Sequence, residues 1–289
     1  MARYWKWVKS SSSFVLEMKR IIQPELLDTL PPDDPRAIWS RRDLRRVNAW
    51  MRNHAIMAKA LQSAANGRPP KQITDLGAGD GHFLMRIAKK VAHRWPGANV
   101  TLLDNRPIAN GQTPASFTSL GWRAETMVAD VFDWAKKRNC RLPAGELLGD
   151  ESASRQDAGA PDVVVANLFL HHFDDARLAE LFRAVAGRAR LFVAIEPRRA
   201  PWPLFCCRLL WMIGCNSVTR HDAAISVRAG FSGRELSALW PADSGWQLTE
   251  RRTGFWSHLF VAKKINLECA DMSALSKAVP LRRDRRSPK

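Results

Sequence analysis

The spacing of apolar and polar positions predicts an α/β fold over most of the chain. Five short apolar runs have the length and composition of strands: 72–76, 99–103, 127–129, 163–166 and 191–195. Helical spacing in 83–91 and 175–188 predicts connecting helices, and 246–251 with 255–262 predicts a closing antiparallel pair. The run at 163–166 is apolar throughout, which is typical of a strand buried on both faces of a parallel sheet. The pattern predicts a doubly wound, Rossmann-like α/β sheet of seven strands.

The region before this sheet, residues 1–70, is interpreted as an N-terminal extension followed by a helical cap. Residues 1–22 are expected to be loosely ordered, and the proline-rich segment 31–36 is expected to be a turn. Ser40 and Asp43 match a capping box at a helix start. Apolar residues at helical spacing then predict one amphipathic helix of about five turns, with Leu44, Val47, Met51, Ala58 and Leu61 on its apolar face.

The sheet itself belongs to a predicted domain at 71–264, with a lid inserted after the fifth strand at 197–230. Residues 143–161 are rich in Gly, Ala, Ser and Asp and are expected to form a mobile polar loop. Residues 265–289 are polar and basic without periodicity, so a disordered basic tail is expected there.

The net charge is strongly positive, with 45 Lys and Arg against 28 Asp and Glu in 289 residues, or +17. Such a field attracts anions, including nucleic acid and anionic membrane surfaces. The basic residues are spread along the chain, which favours a solvated basic surface over a nucleic-acid groove. The most apolar run, 202–215, is shorter than the about 20 residues of a membrane span and contains Arg208. We therefore expect a soluble protein with, at most, peripheral contact to an anionic membrane.

Cysteine usage indicates the compartment and argues against a thiolate metal site. The chain has five cysteines and no C-x-x-C pair, so neither a disulfide framework nor a zinc site is predicted. No metal is expected, and a reducing cytoplasm is the expected location.

The glycine loop DLGAGDG at 75–81 predicts a nucleotide-like ligand. The dinucleotide pattern is G-x-G-x-x-G, with a pyrophosphate at the helix start. Here the third glycine, Gly81, comes one position early, and Asp75 and Asp80 flank the loop. Because carboxylates repel a pyrophosphate, the loop favours a ligand with an ammonium and a sulfonium instead. S-adenosylmethionine has both groups, a ribose and an adenine, and no phosphate.

Two further carboxylates stand at the ends of the next two predicted strands. Asp104 closes the second strand and can accept the ribose hydroxyls. Asp130 closes the third strand between apolar neighbours and can accept the adenine amino group. Three acidic positions at consecutive strand ends are more specific for S-adenosylmethionine than the glycine loop alone.

At these residues the chain resembles the class I S-adenosylmethionine-dependent methyltransferases. The resemblance covers 71–262 and is carried by DLGAGDG (75–81), LLD (102–104), VAD (128–130) and VVVANLFLHHF (163–173). It implies a seven-stranded sheet with the cofactor at the carboxyl ends of the first strands. The cofactor-binding residues that it implies are Asp75, Gly77, Ala78, Gly79, Gly81, Asp104, Asn105, Asp130, Val131, Asn167 and Leu168.

The candidate catalytic residues follow the fourth and fifth strands, next to the expected sulfonium. A histidine can act as a general base near neutral pH, and a carboxylate beside it can orient the ring. His171 with Glu196 is the favoured dyad, and His172 is the alternative base. His221, within TRHD at 219–222 of the lid, is a further alternative, although this cluster is equally well explained as a lid anchor.

Two stretches outside the cofactor motifs give a finer resemblance. PELLDTLPPDDPRAIWSRRDLRRVNAWMRN (24–53) and SVTRHDAAISVRAGFSGREL (217–236) look like methyltransferases encoded beside type III polyketide synthases. That group is thought to O-methylate phenolic or quinone-type products. The resemblance implies an aromatic or amphiphilic acceptor with a long alkyl tail. The group's Asn-Asp after strand five is Ile195-Glu196 here. The alternative function, suggested by the charge, is RNA methylation.

Overall fold

The computed structural model describes residues 5–10, 13–31, 33–107, 112–136, 161–242 and 245–265. The loop predicted to be mobile, 143–161, lies outside the described residues except for its last residue. The predicted disordered tail, 265–289, likewise lies outside them except for its first.

A seven-stranded mixed sheet forms the centre of the described chain, as the sequence predicts. Its strands, in chain order, are β3 (Gln72–Leu76), β4 (Asn99–Asp104), β5 (Arg123–Val128), β6 (Val163–Asn167), β7 (Leu191–Pro197), β8 (Trp246–Thr253) and β9 (Ser257–Lys264). Their order across the sheet is β5-β4-β3-β6-β7-β9-β8. Strands β3 to β7 are parallel, and β9 is antiparallel to both β7 and β8. The order reverses between β3 and β6, and ligands bind at such a switch point in open α/β sheets.

The helices are divided between the two faces of this sheet. They are α1 (Leu26–Thr29), α2 (Pro35–Met51), α3 (Asn53–Ala65), α4 (His82–Val91), α5 (Gln112–Thr118), α6 (Val131–Lys136), α7 (Asp175–Ala186), α8 (Pro201–Cys207), α9 (Ser217–Ala229) and α10 (Glu235–Leu239). Strand β7 shows how the faces are filled. Val193 and Ile195 pack with α3 and α4, whereas Phe192 and Ala194 pack with α7 and α10. Side chains alternate along a strand, so an entirely apolar strand serves both cores.

The N-terminal segment differs from the expectation of loose order. Trp5–Ser10 (β1) and Ser13–Met18 (β2) pair as an antiparallel hairpin separate from the main sheet. Runs rich in Trp, Val and Phe on either side of a run of serines are a composition that suits a hairpin. The interspersed lysines and serines obscured this signal.

The predicted capping box and single long helix are also wrong. Helix α2 begins at Pro35, and its cap is Asp34, whose side chain accepts a hydrogen bond from the Arg36 amide. Ser40 and Asp43 lie buried inside α2, where Asp43 accepts from the amide of Asn216 in the lid at 2.9 Å. The helix then breaks at Arg52, whose φ is +58°, and α3 starts at the next residue.

The lid expected at 197–230 consists of α8, a 3-10 turn at Leu210–Ile213, and α9. Helix α9 packs against α1, α2 and α8, so the lid and the N-terminal helices meet above the carboxyl edge of the sheet. Within the described residues, no helix combines the length and apolar character needed to cross a membrane.

Candidate functional site

The glycine loop joins β3 to α4 at the carboxyl edge of the sheet. Gly77, Gly79 and Gly81 all have positive φ, at +68°, +56° and +71°. A Cβ on Gly77 would overlap the ring of Phe169, which follows β6. Nothing lies within 4 Å of a Cβ built on Gly79. The positive φ angles therefore favour glycine at these three positions. The loop packs closely against Phe169 at Gly77 and presents an open surface at Gly79.

Asp75 and Asp104 flank this loop from neighbouring strands. Asp75 is 2% exposed, and its burial, with the nearby charge of Asp104, raises its pKa to about 8. Asp104 accepts hydrogen bonds from the amides of Gly79 at 2.8 Å and Arg106 at 3.0 Å. A cation bound beside Asp75 would favour the charged form of this carboxyl and oppose the effect of burial on its pKa.

The predicted third acidic position lies at the edge strand. Strand β5 starts four residues earlier than its predicted start at 127, and Asp130 follows the strand. Asp130 is exposed and accepts a hydrogen bond from the Phe132 amide at 2.7 Å, while the neighbouring Val131 is buried. Asn105 is exposed directly after β4. The structure thus places the three carboxylates at the ends of the adjacent strands β3, β4 and β5.

Glu196, near the end of β7, organises the turn that follows β6. It is fully buried and accepts from the amides of Phe169 at 3.0 Å and Leu170 at 2.9 Å. Its other oxygen lies 2.8 Å from His171 Nδ1. The predicted dyad of His171 and Glu196 is therefore in hydrogen-bond contact, and the glutamate reaches the backbone of the whole turn.

His171 is held between two carboxylates. Its Nε2 lies 3.3 Å from an oxygen of Glu25, a residue that the sequence reasoning did not single out as functional. Burial lowers the pKa of His171, but the hydrogen bonds to Glu196 and Glu25 outweigh it and raise the pKa to about 9. Burial raises the pKa of Glu25, but bonding to His171 and His172 holds this pKa well below its usual range.

His172 lies beside His171, with their ring centroids 4.2 Å apart. Its Nδ1 is 2.9 Å from the carbonyl oxygen of Phe169. Its Nε2 is 3.7 Å from Glu25 and 3.8 Å from Asp28. The His172 side chain is 29% exposed, whereas that of His171 is only 4% exposed.

The lid residue Asp222 brings Glu25 to the histidines. Its two oxygens accept the amides of Leu26 and Leu27, each at 2.9 Å, at the start of α1. One turn further along α9, the hydroxyl of Ser226 donates a hydrogen bond to Glu25. His221 lies 3.1 Å from Asp222, with its own side chain 51% exposed. These contacts favour the anchoring interpretation of the 219–222 cluster.

The helical cap reaches the same edge through amide side chains. Asn53 donates to the Asn167 side chain at 3.3 Å and accepts from Ser257 at 2.7 Å. Leu168, next to Asn167, has a φ of +53°. Arg45 of α2 forms an ion pair with Asp80 of the glycine loop at 2.9 Å. The cap therefore closes over the loops after β3 and β6.

Sequence reasoning missed Glu25 and Asn53 because their partners are distant in the chain. Glu25 is 146 residues from His171, and Asn53 is 114 residues from Asn167. The available signal was the PELLDTL segment, which carried the finer resemblance without assigning any role to its glutamate.

Comparison with known proteins gives one curated relative and several solved structures. No protein-family model matches the chain. The trans-aconitate 2-methyltransferase of Streptomyces avermitilis is 38% identical over 191 residues, covering 63% of this chain and 61% of that protein. The chain therefore spans less than two thirds of this relative's length.

The solved structures establish the architecture. The plantazolicin methyltransferase BamL, in complex with a triazolic desmethylPZN analog and SAH, has a TM-score of 0.54 at 13% identity over 80% of this chain and 92% of its own. The mitomycin 7-O-methyltransferase MmcR has a TM-score of 0.50 at 18% identity over 82% and 60%. The fold is that of the class I methyltransferases.

Within the class I methyltransferase fold, the described site has two halves. The glycine loop and the carboxylates of β3, β4 and β5 occupy one half of the carboxyl edge. The histidine pair after β6, Glu196 near the end of β7, and Glu25 of the N-terminal segment occupy the other half. Phe169 joins them, because its ring packs on Gly77 and its amide binds Glu196.

Proposed function

We propose that this protein is an S-adenosylmethionine-dependent methyltransferase that O-methylates a phenolic or quinone-type small molecule. The observation that carries the proposal is the placement of three carboxylates, Asp75, Asp104 and Asp130, at adjacent strand ends around a glycine loop. The relative named above is a methyltransferase, which supports the same reaction.

The cofactor would meet each carboxylate through a different group. We assign the ribose hydroxyls to Asp104, the adenine amino group to Asp130, and the methionine ammonium to the neighbourhood of Asp75. The open surface at Gly79 lets a ligand approach the backbone closely. Gly77, Ala78, Gly81, Asn105, Val131, Asn167 and Leu168 complete the proposed lining. The cofactor supplies an electrophilic methyl group, and the chain's residues hold and orient it.

The acceptor oxygen belongs, in this proposal, at the cluster formed by Glu25, His171 and His172. In-line transfer requires that the acceptor be aligned with the sulfonium and lose its proton. The cluster adjoins the glycine loop through Phe169, and the His172 side chain is partly exposed. We expect His171→Ala or His172→Ala to lose turnover while keeping cofactor affinity, whereas full activity in both would move the site to His221.

The chemistry around the cluster favours a phenol over a tricarboxylate such as trans-aconitate. Glu25, Asp28 and Asp222 are all joined to the histidines or to α1 by the contacts described above. Carboxylates of an acceptor would be repelled by these groups. The curated relative is named for a small-molecule acceptor, which favours a small acceptor over RNA.

Cofactor binding is the first test of the proposal. Calorimetry with S-adenosylmethionine should show one site, and Asp104→Ala should weaken binding about tenfold or more, since charge-assisted hydrogen bonds are lost. Asp130→Ala has a matched control in Asp174→Ala, because both aspartates accept an amide at a helix start. Wild-type protein without measurable binding would exclude the enzyme.

RNA methylation makes a distinct prediction about salt. Binding to nucleic acid releases counterions, so its affinity falls steeply as salt increases. We expect only weak RNA binding, without substrate turnover. Transfer of a labelled methyl group to RNA would replace the proposed acceptor class.

A lipid-tailed acceptor agrees with the outer surface of the lid. This lid surface consists of exposed apolar side chains: Trp202, Phe205, Leu209, Trp211, Met212 and Ile213. Trp211 and Met212 are 61% and 65% exposed, and Arg208 and Arg220 are exposed beside them. Aromatic groups bordered by arginines suit an anionic lipid interface. We propose that this surface rests on an anionic membrane in the cytoplasm, and the free thiols of Cys206, Cys207 and Cys215 agree with a reducing compartment.

Vesicle sedimentation tests the membrane contact. The protein should bind vesicles of phosphatidylglycerol with phosphatidylcholine more than vesicles of phosphatidylcholine alone. Met212→Glu should reduce this binding, whereas Ile265→Glu, an equally apolar exposed position at the opposite edge of the sheet, should not. Equal losses in both variants would contradict a dedicated lid surface.

A further inference from the structure

Three side chains in the acceptor half bring potential metal ligands together. Glu25, His171 and His172 each place one ligand atom within 4.8 Å of those of the other two. We propose that these residues bind a first-row divalent metal ion such as Zn²⁺. Sequence reasoning predicted no metal, since the thiolate patterns that it considered are absent and Glu25 is remote from the histidines.

The second nitrogen of each histidine supports this assignment. His171 Nδ1 contacts the Glu196 carboxylate at 2.8 Å, and His172 Nδ1 contacts the Phe169 carbonyl at 2.9 Å. A carbonyl oxygen only accepts, so His172 Nδ1 must carry the hydrogen, and in the neutral ring Nε2 then has a free lone pair. Metal-binding histidines characteristically donate their other N–H to a carboxylate or a backbone carbonyl. Both arrangements occur here on adjacent residues.

The spacing of the ligand atoms also fits an ion. Zinc bonds of about 2.0–2.1 Å in a tetrahedron place neighbouring ligand atoms about 3.4 Å apart. His171 Nε2 lies 3.3 Å from one oxygen of the Glu25 carboxylate, and His172 Nε2 lies 3.7 Å from the other. Both separations are close to this value, so an ion bound here would take the place of the hydrogen between His171 Nε2 and Glu25.

The donor set indicates the class of metal. Two imidazoles and one carboxylate suit zinc, iron, cobalt or manganese better than the all-oxygen sites of calcium or magnesium. Asp28 lies 3.8 Å from His172 Nε2 and can supply a further oxygen. Glu196 contacts the other nitrogen of His171 and would hold this ring oriented toward a bound cation.

Such an ion would have two consequences. It would join the N-terminal segment, through Glu25, to the turn after β6, and so hold the cap closed. Resting on the proposed function, it would also offer a position for the acceptor oxygen, a Lewis-acid role that lowers the cost of losing the phenolic proton. Metal binding itself requires neither cofactor nor acceptor, so the metal site and the proposed function can be refuted independently of each other.

The test uses the full chain after treatment with a chelator and dialysis. Zn²⁺ titrated against a competing chromophoric chelator should bind in one tight equivalent. Glu25→Gln and His172→Ala should each weaken this site tenfold or more. The matched control is His93→Ala, an exposed histidine after α4, and it should bind as the wild type does. Circular dichroism checks that each variant is folded.

Two further measurements sharpen the result. Zn²⁺ should raise the midpoint of thermal unfolding in the wild type and the His93→Ala variant, but much less in Glu25→Gln, because an ion bound only to the native state stabilises it. The Co²⁺ complex should show visible d–d bands without a thiolate charge-transfer band. Absence of a tight equivalent, unchanged affinity in both cluster variants, or a thiolate band would overturn the proposal.

Discussion

The two halves of the carboxyl edge hold their carboxylates in different ways. In the glycine-loop half, Asp104 and Asp130 accept amides of their own neighbouring loops and keep contact with solvent. In the histidine half, Glu196 is fully buried and Glu25 is nearly so, and both are bound to side chains from other elements. The first group can add ligand hydroxyls to its existing bonds, whereas the second already binds side chains and amides of the protein.

This difference separates binding from stability. When a partly exposed carboxylate is removed, water takes its place, so the substitution mainly weakens ligand binding. When a buried carboxylate is removed, several donors lose their partners, so the substitution mainly lowers the free energy of unfolding. The predictions below test this separation, beginning with the largest expected effect.

Glu196→Ala should cause the largest loss of stability. It would leave the amides of Phe169 and Leu170 and the ring of His171 without their acceptor in a dry site. We expect a loss of about 3–5 kcal/mol in the free energy of unfolding, measured by urea denaturation. Asp174→Ala, which removes an exposed helix cap, should cost about 1 kcal/mol. Similar losses in the two variants would show that burial does not distinguish them.

Substitutions at Gly77 and Gly79 compare a packed with an open side of one loop. Gly79→Ala should cost about 1–2 kcal/mol, because only the left-handed backbone is strained. Gly77→Ala adds an overlap with Phe169 and should cost about 2–4 kcal/mol. Urea unfolding measures both. In the double variant Gly77→Ala with Phe169→Ala the overlap is gone, but the strained left-handed backbone remains. A double variant as stable to urea as Phe169→Ala alone would therefore refute this division.

The comparison also explains what could be predicted from the sequence. The glycine loop and the acidic residues near the ends of β3 and β4 depend on a few consecutive residues, so local patterns identify them. The sequence predicts the start of β5 four residues too late. This strand lies at the edge of the sheet, where its outward positions Arg123 and Glu125 are polar and interrupt the apolar pattern.

The histidine half was only partly predictable for a related reason. His171 and Glu196 follow neighbouring strands, and the sheet order brings them together. Glu25 arrives from a segment without periodicity, held by Asp222 and Ser226 of the lid. Likewise, α3 starts at Asn53, whose side-chain partners Asn167 and Ser257 are distant in the chain, so helical spacing does not record the break at Arg52.

Asp75 should make cofactor affinity depend on pH. Its pKa is raised to about 8 by burial and by Asp104, so the free protein holds this proton at neutral pH. An ammonium beside it favours the charged form, and cofactor binding then releases the proton. Affinity should rise about tenfold per unit below pH 8 and level off above it. Calorimetry in buffers of different ionisation enthalpy measures the released proton.

The sign is opposite for the stability of the free protein. The unfolded chain loses the Asp75 proton near pH 4, while the native state keeps it to about pH 8. Between these values the native state binds more protons, so this contribution to stability falls as pH rises. Asp75→Asn should remove the pH dependence of both cofactor affinity and stability. If affinity still rises with pH in this variant, the released proton comes from the cofactor's own amino group.

The smallest effect is expected where the helical cap meets the glycine loop. Arg45 and Asp80 form an ion pair whose side chains are 44% and 32% exposed. Pairs this exposed contribute about 0.2–1 kcal/mol and are screened by salt. Arg45→Ala should therefore lower unfolding stability only slightly, and the difference from the wild type should shrink in high salt. Asn53→Ala provides the contrast, because Asn53 is fully buried and bridges Asn167 to Ser257. Asn53→Ala should lower unfolding stability more than Arg45→Ala does, and this loss should be insensitive to salt. Buried amides, rather than the exposed charge pair, would then hold the cap over the site.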